Sequence, residues 1–276
     1  MRRLPRVLVA MALLLLLGGG MAVADHIELP IKWSQLPDMD TGLDVYSVHV
    51  GTAVCSNDWL CTSPDPIVAV RWWGSYLDDT FETIRDPNYS TRFELVFHYD
   101  VPANTQDPET GEILAFSHPT GPPLHYVHLT PQEHHYGDIT VTDLSGQVTI
   151  IERVYEYNAY LDEPFDQWYW RNYEGGGAYP YPAPGNGIFW LDIGYVDPVD
   201  PSQAQWGWHE ALNLQLDKAI SNPGWHFGPW VNVTVLNRDL AFELMTVPEP
   251  FSMAFLGSAL VGVVCYRVRK RRKEAK

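Results

Sequence analysis

The feature that most constrains this chain is a period of two. In "RFELVFHYDV" (92–101), apolar Phe93, Leu95, Phe97 and Tyr99 alternate with Glu94, His98 and Asp100 around Val96. Successive side chains of an extended strand point to opposite faces, so this stretch reads as a half-buried strand. "PIVAVRWWGSYL" (66–77) sets Val68, Val70 and Trp72 against Ala69, Arg71 and Trp73. "GIFWLDIGYV" (187–196) is apolar on both faces apart from Asp192, the pattern of a central strand. Further strands are expected at 43–50, 124–129, 148–157, 229–236 and 240–246, with a short helix in "QWGWHEALNLQLDKAI" (205–220). Clusters of Pro, Gly, Asn and Asp, such as "SPDP", "DPNYS", "NTQDPETGE" and "HPTGPP", mark the turns. Many short strands between turn clusters predict an all-β fold, an antiparallel β-sandwich of jelly-roll-like form.

Two apolar segments bracket this unit. Residues 1–24 begin with Arg2, Arg3 and Arg6, continue through an apolar run from Val7 to Leu17, and end in Ala22-Val23-Ala24. That order is the pattern of a secretory signal peptide, with cleavage expected after Ala24. At the other end, 251–266 carries no charge and spans about 24 Å as a helix, a little short of a ~30 Å hydrocarbon core. The basic cluster Arg267, Arg269, Lys270, Arg271, Arg272 and Lys273 follows, and the positive-inside rule keeps it cytoplasmic. The expected organisation is therefore a leader (1–24), one extracytoplasmic domain (25–246) and a C-terminal membrane segment with its flanks (247–276).

The motif Val247-Pro248-Glu249-Pro250, a short spanning segment and an arginine-rich tail together resemble the PEP-CTERM sorting signal. The resemblance covers about thirty residues, with Phe251 standing where Ser or Thr more commonly follows. It implies an exosortase-type processing enzyme in the inner membrane of a Gram-negative bacterium as partner. It also implies delivery to the surface or extracellular matrix, often alongside exopolysaccharide. A second resemblance rests on "NDWLC" (57–61), "AVRWWGSY" (69–76), "WGWH" (206–209) and "DLAFEL" (239–244). These are similar to an uncharacterised domain of PEP-CTERM-type exported proteins, which implies fold and export class but no activity.

Between the terminal segments, residues 25–246 hold 8 basic against 32 acidic side chains, a net charge of −24. Nucleic acid is excluded as a partner, since affinity for it comes from Lys and Arg on phosphates. All eleven tryptophans and fourteen of the fifteen tyrosines lie here, a composition opposite to that of acidic disordered chains. Cys55 and Cys61, the two cysteines of this region, are expected to pair as a disulfide closing a tight loop in an oxidising compartment.

Four patterns bear on chemistry. Trp72, Trp73 and Tyr76 are candidates for stacking on sugar rings, with Arg71, Asp78 and Asp79 beside them for hydroxyls; burial of both tryptophans in the core is the competing reading. "HYVHLTPQEHH" gathers His125, His128, Glu133, His134 and His135, residue types that suit zinc, but without HExxH spacing. "DMDTGLD" places Asp38, Asp40 and Asp44 around Gly42, a calcium candidate that lacks the full EF-hand series; a solvated turn is the alternative. Glu152 and Glu156 share a strand face at roughly 13 Å, too far apart for a glycosidase pair. No catalytic residues are assigned, and no cofactor is expected, calcium being the one candidate. The expected role is structural or adhesive at the cell surface, with polysaccharide as a partner. The rival is a carbohydrate-active enzyme, a glycoside hydrolase or lyase, on a similar sandwich.

Overall fold

The computed structural model describes residues 29–48, 53–77, 92–142, 149–175, 183, 185–196, 205–222 and 234–247. Ala22, Ala24, the segment 251–266, Pro248 to Pro250 and the basic tail lie outside the described residues. Among the described residues no helix is long and apolar enough to cross a membrane.

The strands, in chain order, are β1 (Ile31–Gln35), β2 (Asp44–Tyr46), β3 (Val54–Leu60), β4 (Ile67–Leu77), β5 (Phe93–Val101), β6 (His118–Pro119), β7 (His125–Leu129), β8 (Gln132–Thr142) and β9 (Thr149–Phe165). A short helix, α1 (Gln167–Arg171), precedes β10 (Ile188–Tyr195), β11 (Gln205–His209), β12 (Ile220–Asn222), β13 (Thr234–Val235) and β14 (Phe242–Thr246). The fold is all-β, built as two antiparallel sheets.

In the first sheet β4 is the hub. Its residues 67–74 pair with β9 along one edge, while 67–72 pair with β14 and 74–77 with β11 along the other. β1 extends β14, β2 extends β11, and β8 extends β9. The second sheet runs β13-β12-β3-β10-β5, with β7 and β6 following one another on the free edge of β5. β10 is thus a central strand, as its two apolar faces predict. The chain passes from sheet to sheet repeatedly, so residues distant in sequence meet across each face.

Alternation puts Val70, Trp72 and Tyr76 of β4 and Tyr157, Ala159 and Leu161 of β9 against Phe93, Leu95, Phe97 and Tyr99 of β5. Phe189, Leu191, Ile193 and Tyr195 of β10 complete that layer. Trp72 stacks on Tyr157 at 5.5 Å and meets Phe93 edge-on at 5.1 Å; Trp59 stacks on Phe189 at 5.5 Å. Such pairs add about 0.5–1.5 kcal/mol each beyond their burial. The aromatic richness of the sequence is therefore spent largely between the sheets.

Three expectations are corrected. Residues 205–209 are strand β11 rather than part of a helix: Trp206 and Trp208 share one face and are both fully buried, which strand spacing satisfies. The polar face of β5 is not solvated: Glu94, His98 and Asp100 are buried, His98 facing Asp192 at 3.1 Å. Cys55 and Cys61 are free thiols rather than a disulfide. They sit at the start of β3 and one residue past its end, so extension separates them by about 20 Å, against a bridging limit of about 7 Å. Burial pushes the Cys55 thiol up to about 12.

Candidate functional site

The sandwich has an unusual outer surface on its first sheet. The side of β4 facing away from the core carries Arg71, Trp73 and Ser75, and all three are buried. Trp73 packs with Ile139, Val154, Ala211 and Ala241 in a small second core, with Met39 against it. Polar networks flank this apolar island on both sides.

One network is centred on Arg71. Its guanidinium donates to Asn158 Oδ1 at 2.9 Å and to Glu243 Oε2 at 2.7 Å, and lies 3.6 Å from Glu156. Ser34 Oγ donates to the other Glu243 oxygen at 2.7 Å. Four strands, β1, β4, β9 and β14, are cross-braced by these groups.

The other network gathers Asp44 from β2, Ser75 from β4, Glu152 from β9 and His209 from β11. Asp44 and His209 are direct partners in the β2–β11 ladder, and His209 Nδ1 lies 2.5 Å from Asp44 Oδ1. His209 Nε2 donates to the Asp38 carbonyl at 3.0 Å, since a carbonyl can only accept. Ser75 Oγ contacts both Asp44 Oδ2 and Glu152 Oε1, the latter at 2.5 Å. The Asp38–Gly42 turn closes over the ring, and a Cβ at Gly42 would fall 2.8 Å from His209 Nε2. Among the described residues, Asp44, Glu152 and His209 are the metal-capable side chains whose ligand atoms converge, all within 4.8 Å.

Electrostatics fix the protons. Burial opposes charge on His209, but the hydrogen bond to Asp44 and that carboxylate's charge outweigh it and raise the imidazole above its usual value. Burial also opposes charge on Asp44, yet hydrogen bonds from His209, Glu152 and Ser75 hold it below the usual carboxylate range. Glu152 yields: burial and its bond to Asp44 push it up to about 8. The cluster thus favours charge on the His209–Asp44 pair, while the Glu152 carboxyl keeps its proton well above the ordinary carboxylate range. It is not a Ser-His-Asp triad, because the ring nitrogen that would activate Ser75 is turned to the Asp38 carbonyl. Nor do Asp44 and Glu152 suit glycosidic cleavage, since both bind one hydroxyl and lie closer than the ~5 Å of a retaining pair.

The residues singled out by sequence pattern fall elsewhere. Trp72 and Trp73 are 0% and 1% exposed, and Tyr76 donates to Glu133 Oε2 at 2.7 Å, so the trio offers no stacking face for a sugar. Arg71 is saturated by its network. Of the calcium candidates, Asp38 caps its own turn, accepting from the Asp40 and Thr41 amides at 3.0 and 3.1 Å, while Asp44 points into the histidine cluster. The two do not converge with Asp40 on one ion. His125 lies against Phe97 and Phe165, and His135 pairs with Asp138 at 2.8 Å, so the histidine-rich run does not form one centre. Glu152 and Glu156 belong to the two different networks.

Three more buried carboxyls are shifted. Burial pushes Asp58 up to about 8, against a hydrogen bond from the Asp217 amide at 3.1 Å. It pushes Asp100 and Asp239 up to about 6, despite bonds from Trp190 Nε1 to Asp100 and from the Gln215 amide to Asp239. In the unfolded chain such groups titrate near 3.9. A raised folded value means folding takes up protons, so this stability is present below about pH 4 and lost as pH rises through 6 to 8. Asp38 and Asp44, held low, oppose this only below about pH 4, and His118 and His125, which burial holds below the usual imidazole value, oppose it as pH falls through about 6.5, by less than the carboxyls supply. Denaturant titrations at pH 5.5 and pH 8 are expected to show the domain more stable at the lower pH, by at least about 2 kcal/mol.

An all-β, two-sheet domain with a proton-sharing His–carboxyl cluster buried on one outer face is the class these observations define. Within it, the chain belongs to the family described as a domain of unknown function (DUF7901), which it matches over residues 31–245. Neither the curated proteins nor the solved structures yield a match to it.

Proposed function

We propose that the chain is an exported cell-surface or extracellular-matrix protein, in which a jelly-roll-like sandwich serves a structural or adhesive role towards polysaccharide. Its leader and PEP-CTERM-like signal would deliver it through an exosortase-type route. The observation that carries this reading is the pairing of β1 with β14. Ile31 lies opposite Met245, so the first and last strands of the folded body begin and finish at the same end of the first sheet. β14 stops at Thr246, directly before Val247-Pro248-Glu249-Pro250 in the sequence.

The saccharide contact moves from β4 to α1. There Trp168 and Tyr169 are 40% and 55% exposed on a helix capped by Asp166, whose carboxylate accepts from the Tyr169 amide at 2.9 Å. Gln167 donates to the Asp65 carbonyl at 2.6 Å, and Arg171 donates to the Cys61 carbonyl at 2.7 Å while lying over the Trp168 ring. The ledge is held rigidly, which lowers the entropic cost of binding. The full chain, tagged in its native bacterium, is expected in the surface or matrix fraction and is expected to be retained on that cell's exopolysaccharide without shortening it. A Trp168→Ala/Tyr169→Ala variant should lose about tenfold in retention with unchanged melting. Cytosolic recovery of the intact chain, or release of shortened saccharides, would overturn the reading.

A further inference from the structure

We propose that Asp44, Glu152 and His209 bind one divalent cation of the first transition row, of the zinc class, on the outer face of the first sheet. Three features carry this, and none depends on where the protein is delivered.

The donor set is one imidazole nitrogen and two carboxylate oxygens, contributed by three strands and converging within 4.8 Å. Mixed nitrogen and oxygen ligands suit zinc, cobalt or manganese, whereas calcium takes oxygen alone. The second feature is orientation. Metal-binding histidines characteristically donate their other ring N–H to a carbonyl or carboxylate, which aims the free nitrogen at the ion. His209 does this through Nε2 and the Asp38 carbonyl at 3.0 Å, leaving Nδ1 directed at Asp44. Ser75 steadies both carboxyls from the opposite side. The third feature is access: the His209 and Asp44 side chains are sealed, but Glu152 is half-buried and opens the cluster towards solvent.

The movement required is small. Ligands at about 2.0–2.1 Å from a tetrahedral ion lie about 3.3 Å apart. Asp44 Oδ1 and His209 Nδ1, now 2.5 Å apart, would separate by under about 1 Å. The ion displaces the Nδ1 proton of His209 and the Glu152 proton to solvent; the two carboxylates then balance its charge, and a fourth position remains for water. The ion would tie β2, β9 and β11 together where hydrogen bonds now do so.

The test uses the full-length, tag-free chain purified in detergent and stripped of metal. Calorimetric titration with Zn²⁺ is expected to give one saturable site and a raised melting temperature, and Co²⁺ should produce a visible absorption band of nitrogen–oxygen coordination. Glu152→Gln, nearly isosteric and at the open side of the cluster, is expected to fold and to weaken binding by more than about 100-fold; Ser75→Ala should weaken it by about 10-fold. His209→Ala should abolish the Co²⁺ band. If His209→Ala does not fold, the Glu152→Gln result decides. Absence of a saturable site, or equal zinc affinity in the parent and Glu152→Gln chains, would overturn the proposal, as would Ca²⁺ competing with Zn²⁺ at equal concentration.

Discussion

Replacing Arg71 with alanine is expected to cost about 3–5 kcal/mol, enough to abolish most of the stability of a domain of this kind. The guanidinium is 8% exposed and holds Glu243 and Glu156, themselves 3% and 5% exposed. Removing it leaves two buried carboxylates facing one another without a counter-charge, where water cannot reach them readily. The cost comes from that abandonment rather than from the intrinsic strength of the ion pair. The contrast variant makes this distinction: Arg71→Met combined with Glu243→Gln and Glu156→Gln removes all three charges and is expected to recover most of the loss. Urea unfolding curves for the single and triple variants provide the measurement. A loss below about 1 kcal/mol in Arg71→Ala would mean that the network is solvated and that β4 does not have the buried outer face described above.

Gly74→Ala is expected to be as damaging, by at least about 3 kcal/mol, for a purely steric reason. An added Cβ would lie 2.5 Å from Trp206 Cζ2 and closer still to the Gly207 carbonyl oxygen. Neither neighbour can retreat. Gly207 is held in the ladder between Ser75 and Tyr46, and the Trp206 ring is wedged edge-on against Phe93 at 4.8 Å. β11 would have to shift away from β4, carrying His209 off Asp44. Gly137→Ala is the control, since its Cβ meets only the flexible Met39 Cε at 3.0 Å, and its effect should stay below about 1 kcal/mol. Melting temperatures of the two alanine variants, measured side by side, check the contrast.

Part of the site was legible. Arg71 and Ser75 come from "AVRWWGSY", His209 from "WGWH" and Glu243 from "DLAFEL", the stretches that carry the resemblance to an uncharacterised exported domain. Arg71, Trp73 and Ser75 are spaced by two and therefore lie side by side on one face. Asp44 drew attention with Asp38 and Asp40, and Glu152 with Glu156, but neither pattern pointed to His209, because local spacing in a chain with 34 acidic residues does not say which strands become neighbours. The histidine-rich run at 125–135 attracted attention through local density, yet its members point to different surroundings. The ledge on α1 was missed because "QWYWR" has aromatics at nearly every position, which leaves no periodicity to separate the buried Gln167 from the exposed Trp168 and Tyr169.

Strand periodicity alone determined that this protein is all-β, which side chains of β4, β5 and β10 share a face, and that β10 lies inside a sheet. It could do so because the alternation of side chains is a local property of extended backbone. The tertiary structure alone decided that the outer faces of the sheets are also covered, that Cys55 and Cys61 stay apart, and that Asp44, Ser75, Glu152 and His209 meet. Those outcomes depend on which strands become neighbours after the chain has crossed between sheets, and no window of sequence contains that pairing.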